Sequence, residues 1–462
     1  MSQLGQEFLA VVDIGKTNIK LIVVGSTGES VEQLSVANEV IRSGLYPHFD
    51  VEAIFEWILA GLSEFAKRYT ISAIVPVTHG ATGVLCAGDR LALPVLDYEF
   101  AGPEAVNSEY RAAASEFSKT SSPDLPNGLN FGKQLFWQKR EFSEAFASAM
   151  HVLMYPQYWA YRLTGHRHTE VTSLGCHTGL WEPAGARFSN LAMQEGFDKL
   201  FPPLKRAYES AGPLLPELAR RTGLNADVKV LTGIHDSNAS YFAHAAPRRG
   251  QGEFAVASTG TWVVCMANGV DVAELREELD MLANCDAFGA PVASIRFMGG
   301  REYEAVAGTD GLQEAPGLED VALVLATSFA LPSFASQGGP FRNRVGRFEG
   351  ETPTEPKRKA ALAALYSALL TDHCLDLLGA RGELIVDGAF AKNQLFLSLL
   401  SALRGGAVCV SDSAHAGTAR GAAQLLAWPE SLQSELVRVE ALEIPGLNAY
   451  RGRWRQYLTE NR

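Results

Sequence analysis

Apolar positions fall into short runs separated by polar, glycine-bearing turns. Phe8 to Val12 is a valine-rich run, Asp13 to Asn18 a polar turn, and Ile19 to Val24 a second apolar run. Runs of this length around a turn predict strand, tight turn, strand. Glu52 to Lys67 carries apolar residues at helical spacing and predicts an amphipathic helix. Ile71 to Val77 predicts a buried strand ending at Thr78-His79-Gly80, and Leu91 to Leu96 another that runs into Asp97-Tyr98-Glu99. Phe131 to Met150 predicts helix, and His151 to Leu163 a second helix interrupted near Pro156. Val228 to Leu231 predicts a short strand, followed by Gly233-Ile234-His235-Asp236 and a small-residue helix from Ser237 to Ala246.

The opening pattern then repeats. Phe254 to Ala257, the turn Ser258 to Thr261, and Trp262 to Met266 again predict strand, turn, strand. Pro356 to Leu378 predicts a strong helix, Glu383 to Val386 a strand, and Asp387-Gly388-Ala389 the turn after it. Asn393 to Leu403 predicts helix, Ala407 to Val410 strand, and Ala419 to Ala427 helix. Strand–turn–helix units in succession predict an α/β fold. Two hairpins with Gly and Thr in their turns, one heading each half, suggest two related domains facing one another across a cleft. A length of 462 residues suits two cores of roughly 200 residues each. The basic, glycine-containing turn Pro247 to Gly252 marks the boundary, giving domains 1–247 and 248–462.

Composition narrows the partners. Apolar residues make up 47% and charged residues 20%, and the net charge is −12. An acidic surface offers no electrostatic footprint for nucleic acid or an anionic membrane. A neutral small molecule together with a magnesium-bound nucleotide is the expected ligand set. Six cysteines lie at irregular spacings with no CxxC pair, which predicts reduced thiols and a cytoplasmic protein. Residues 1–7 carry no basic region, and no run of about 18 apolar residues is present, so neither a signal peptide nor a membrane span is expected.

Four segments carry chemistry. In Asp13-Ile14-Gly15-Lys16-Thr17-Asn18-Ile19-Lys20, Gly15 lets backbone N–H groups approach a ligand, Thr17 and Asn18 supply short hydrogen-bonding groups, and Lys16 and Lys20 supply charge. Asp13 offers a hard oxygen suited to magnesium, through water. The GxxxxGK[ST] spacing of a Walker loop is absent. Ser258-Thr259-Gly260-Thr261-Trp262 offers hydroxyls and a glycine turn again. Asp236 follows a strand, beside His235 and Ser237; phosphoryl transfer to an alcohol needs such a carboxylate to accept the hydroxyl proton. The plainer reading of Asp236 is a helix N-cap. Asp387-Gly388-Ala389 fits a contact to a nucleotide base or ribose.

Together these segments resemble the FGGY carbohydrate kinases, most closely the rhamnulokinase-like branch, over nearly the whole chain. The resemblance rests also on Leu93-Pro94-Val95, Tyr161-Arg162-Leu163-Thr164-Gly165 and Asn393. It implies a ribonuclease-H-like, actin-like fold duplicated in two domains, an ATP-dependent sugar kinase, and a ketose substrate. It implies that Asp236 is the base, that Asp13 handles Mg²⁺, and that His79, Gly80, Asp97, Glu99, His235 and Arg296 face the sugar. Gly15, Lys16, Thr17, Asn18, Lys20, Thr259, Gly260 and Thr261 would hold phosphates, and Gly388, Ala389 and Asn393 the adenosine. A homodimer is a candidate assembly. Lys16 departs from the family pattern, where Thr or Ala is usual; so do Ala389, the stretch Asp97-Tyr98-Glu99, and Arg296 and Glu304, which stand where amides are usual. The alternatives are a catalytically weak sugar- or nucleotide-sensing protein of the same fold, and an actin-like ATPase, which would call for clustered cysteines.

Overall fold

The computed structural model describes residues 7–335, 338–411, 417–432 and 436–460. The chain forms two compact units. The first takes Met1–Arg249, Leu282–Val292 and Ala416–Gln433; the second takes Gly250–Met281, Ala293–His415 and Ser434–Arg462. The division therefore differs from a single cut at 247/248, because two later segments return to the first unit.

In the first unit a mixed sheet orders its strands Ser210–Pro213, Lys229–Leu231, Thr70–Thr78, Glu7–Ile14, Asn18–Val24, Ser30–Ala37. Glu7–Ile14 and Asn18–Val24 form the predicted hairpin, and Thr70–Thr78 runs parallel to the first of them. Ile234–His235 also pairs with Thr70–Thr78, in parallel. The alternation of the strand explains the unbroken apolar runs. Phe8, Ala10, Val12 and Ile14 enter one core with the helices Val51–Ala66 and Tyr155–Thr164. Leu9 and Val11 point the other way, into a core with Ala239 and Phe242 of helix Asp236–Ala245 and with Ala419 and Ala422 of helix Gly417–Ala427. A sheet covered on both faces has no polar side to reveal in sequence.

The second unit repeats the plan. Its sheet has seven strands, of which six run Leu436–Arg438, Val408–Ser411, Glu383–Gly388, Phe254–Thr259, Val263–Ala267, Pro291–Phe297, with Met281–Cys285 beyond them at the edge. Each neighbouring pair has the same sense, parallel or antiparallel, as its counterpart in the first sheet. Helix Pro356–Leu378 backs this sheet; by length and composition it could cross a membrane, but 83% of its apolar window is buried in the core.

Three local expectations are corrected. Leu91 to Leu96 is not one strand but two short pieces, Arg90–Leu91 and Val95–Leu96, separated by Pro94. Pro156 does not interrupt a helix; it starts one, since the strand His151–Met154 precedes it and proline is tolerated in a first helical turn. The helix expected over Phe131 to Met150 breaks at Phe142, with Phe131–Glu141 and Ser143–Ala147 on either side.

Candidate active site

Three neighbouring parallel strands of the first unit deliver the candidate residues at their carboxyl ends, the usual place for a ligand in such sheets. Glu7–Ile14 ends with Asp13 and Gly15 beside it, Thr70–Thr78 runs into His79 and Gly80, and Ile234–His235 runs into Asp236. The His79 N–H continues the ladder by donating to Ile14 O at 2.9 Å.

The first turn is closed by Gly15 N–H to Asn18 O at 2.9 Å. A Cβ at Gly15 would stand 3.0 Å from that oxygen. Buried Asn38 holds the turn from below, donating from its side chain to Gly15 O at 2.8 Å and from its backbone to Thr17 O at 2.9 Å. Thr17 and Asn18 are exposed at the tip. Asp13 is buried opposite Lys20 across the hairpin. Burial pushes its carboxyl up to about 6 and the charge of Asp236 adds to this, while Lys20 and a hydrogen bond from Thr418 oppose it.

Asp236 is the first residue of its helix, and its Oδ1 accepts from Ser237 N–H at 2.5 Å. His235 occupies the N-cap position, without a side-chain capping bond. His235 Nε2 lies 3.2 Å from Asp236 Oδ1. The ring's protonation follows from Asn238, one turn along the same helix. Asn238 Nδ2 donates to Thr172 O at 3.0 Å, so the amide also presents hydrogen to His235 Nδ1 at 3.1 Å. Nδ1 accepts, Nε2 carries the proton, and that proton points to Asp236. Burial lowers the His235 pKa, which keeps the ring neutral. A Cβ at Gly80 would come within 2.7 Å of His235 Nε2, so glycine makes room for this ring.

The buried His79 ring packs edge-on against Tyr98 and at a tilt against Phe49 and Tyr155, with ring centres 5.3, 5.6 and 5.3 Å away. Burial holds it neutral, with a pKa near 4. Its Nδ1 meets Gly80 O at 2.9 Å, and its Nε2 is buried without a partner.

Several of the candidate residues have partners within the fold. Lys16, expected among the phosphate ligands, turns to Asp97 Oδ1 at 2.6 Å and Glu99 Oε2 at 3.5 Å. Thr259 is buried and its hydroxyl is committed within the fold: it donates to Asp387 O at 2.6 Å and accepts from Phe390 N–H at 2.9 Å. Asn393 is the N-cap of helix Gln394–Leu403, accepting from Phe396 N–H at 3.0 Å. Arg296 lies against Asp280, Nε to Oδ2 at 3.5 Å, with its guanidinium 4.9 Å over the Trp262 ring. Among the remaining second-unit residues, Gly260 is the turn, its N–H donating to Trp262 O at 2.8 Å, and Thr261 and Ala389 are exposed. Gly388 has φ +89°, and a Cβ there would fall 2.0 Å from Thr259 O, so only glycine fits.

Sequence reading missed the supports. Asn38 and Asn238 lacked any motif. Glu170 is fully buried; its Oε2 accepts from Thr172 N–H and Oγ1–H at 2.9 and 2.5 Å. Thr172 Oγ1 in turn accepts from His235 N–H at 3.1 Å. Burial raises the Glu170 pKa to about 8. The isolated sequence signal was a Glu-x-Thr step, common in any chain. Among the described residues no group of three or more His, Cys, Asp or Glu is arranged to hold a metal.

Two sheets of one strand order, each headed by a hairpin with a glycine turn, define a duplicated α/β fold. Residues 125–243 match the FGGY family of carbohydrate kinases, N-terminal domain, and residues 251–434 match carbohydrate kinase FGGY, C-terminal domain. A carbohydrate kinase from Novosphingobium aromaticivorans is 37% identical, with a TM-score of 0.90, over 99% of this chain and 100% of that one. The chain belongs to the FGGY family of carbohydrate kinases. An L-fuculokinase of Salmonella typhi is 27% identical over 58% of this chain, and a rhamnulokinase of Bacteroides thetaiotaomicron 30% identical over 56%. The chain matches 58% and 54% of the length of these two relatives.

Proposed function

We propose that this protein is an ATP-dependent kinase that phosphorylates a hydroxyl of a small sugar, a ketose of the pentulose, hexulose or deoxyhexulose type, with Asp236 as the base. The resemblance to L-fuculokinase and rhamnulokinase supports the ketose class. The observation that carries the mechanism is the His235–Asp236 junction beside His79. A sugar hydroxyl is a poor nucleophile until its proton has an acceptor. Asp236 Oδ1 already receives the Ser237 and His235 protons. These hydrogen bonds fix the carboxylate while its other oxygen accepts the sugar proton. Neutral His79, whose Nε2 has no partner within the fold, reads a hydroxyl rather than an anion, while His235 orients Asp236. The exposed Thr17 and Asn18 tip, with Lys20, receives phosphoryl oxygens. In the second unit, the exposed Thr261 and the glycine turns at Gly260 and Gly388 fit a nucleotide.

Asp13 fits a hydrated magnesium ion: it is a buried carboxylate whose repulsion from Asp236 a dication would relieve. When bound, the ion shields charge on the phosphoryl oxygens. Six buried cysteines with no CxxC pair suit the reducing cytoplasm, where ATP is available.

Sugar-stimulated ADP release across ketoses, aldoses and polyols tests the activity. Asp236→Asn keeps shape and removes basicity. It should lower kcat by about 10²–10⁴-fold and leave nucleotide affinity nearly unchanged. A folded Asp236→Asn protein with near-wild-type turnover would eliminate the assignment.

A further inference from the structure

Lys16 departs from the family pattern, and its side chain shows what the departure does. The ammonium leaves the hairpin turn and ends 2.6 Å from Asp97 and 3.5 Å from Glu99. It lies 5.3 Å from the centre of the Phe49 ring and 5.5 Å from that of Tyr98. The same two rings flank His79, whose buried Nε2 has no partner within the fold. His79 also feels the charges of Lys16 and Asp236. Lys16 therefore stands beside His79, whose neighbour Gly80 packs against the His235 ring next to the candidate base.

Backbone pairing makes the arrangement stiff. Phe49 pairs with Val95 in a small antiparallel sheet, which brings Asp97 alongside. Asp97 N–H donates to Pro47 O at 3.0 Å, and Asp97 Oδ1 accepts from Glu99 N–H at 3.1 Å. Asp97 is buried, so its carboxylate needs the lysine.

We propose that Lys16, Asp97 and Glu99 act as a charge filter, admitting sugars that present neutral hydroxyls and rejecting sugars that carry a carboxylate. This rests on the kinase reading above. A hydroxyl both accepts and donates, so one hydroxyl satisfies the ammonium and the Asp97 carboxylate together. A substrate carboxylate only accepts. It could meet Lys16 but would face two carboxylates against one ammonium, at a distance where like charges repel strongly. A threonine or alanine at position 16 would leave Asp97 buried and unpaired.

The test compares kcat/KM, with Mg-ATP, for neutral ketoses and for sugar acids of equal carbon number. The wild-type protein should use the acids at least about 100-fold less well. Asp97→Asn removes one negative charge and should raise the acid-to-neutral ratio by about tenfold or more. Glu99→Gln, at a largely exposed position, should shift the ratio the same way by a smaller factor, and serves if Asp97→Asn does not fold. Sugar acids used as well as neutral sugars would overturn the filter and leave the kinase reading standing. So would a ratio that neither variant moves. Turnover of no sugar of either kind would overturn both.

Discussion

Asp13 carries two demands that oppose each other. Its folded pKa of about 6 lies above the ordinary value of 3.8, so the folded state holds the proton more tightly than the unfolded chain. Stability from this group is fully present below about pH 4 and is lost as pH rises to about 6. The loss is worth up to about 3 kcal/mol. Asp13→Asn should therefore melt at a higher temperature than wild type above pH 6 and converge with it near pH 4. Binding of a divalent ion needs the ionised form, so in the wild type magnesium affinity should climb over the same window and then level. Melting curves with the same wild-type-to-variant difference at pH 4 and pH 7 would refute this account of Asp13. The same residue illustrates what could be read beforehand. Its chemistry was legible in Asp13-Ile14-Gly15; its burial, its coupling to Asp236 and its bond from Thr418 were not, because they join segments hundreds of residues apart. Lys16 shows the converse. A lysine in a phosphate-like turn suggests a phosphate ligand, and only the position of Asp97 shows where its charge goes.

At the scale of elements, helix Asp236–Ala245 presents the candidate base, and its placement depends on helix Gly417–Ala427. A Cβ at Gly421 would lie 2.0 Å from the backbone oxygen of Ala239. Two backbones this close tolerate no side chain between them. Gly421→Ala should destabilise the protein by at least about 2 kcal/mol in urea denaturation and lower kcat more than it changes nucleotide affinity. An unchanged midpoint would show that the helices can part without cost. The small-residue composition of both helices was visible in the sequence, as were both hairpins and the helix Pro356–Leu378. Their pairing was hidden, since alanine and glycine runs state that something comes close without saying what. The short strands around Pro94 and Pro156 escaped for another reason. Two- to four-residue strands carry too little period to separate from a helix edge.

In the whole molecule, the first unit is not a continuous piece of chain. Residues 416–433 complete it, with Ala419, Ala422 and Leu425 filling one face of its sheet. A chain ending at Arg249 should therefore fail to form a stable unit, although it contains the candidate base. Circular dichroism and limited proteolysis of that fragment should show incomplete structure and rapid cleavage near helix Asp236–Ala245. A cooperative, protease-resistant fragment would contradict this. The interleaving also sets a schedule for synthesis. Leu9, Val11, Val75 and Phe242 emerge from the ribosome long before the helix that covers them. At roughly 5–20 residues per second, the chain between Phe242 and that helix alone takes on the order of ten to thirty-five seconds to make. Throughout that interval the nascent protein displays an uncovered apolar sheet face, so its yield in the cell should depend on chaperone supply far more than its final stability would suggest.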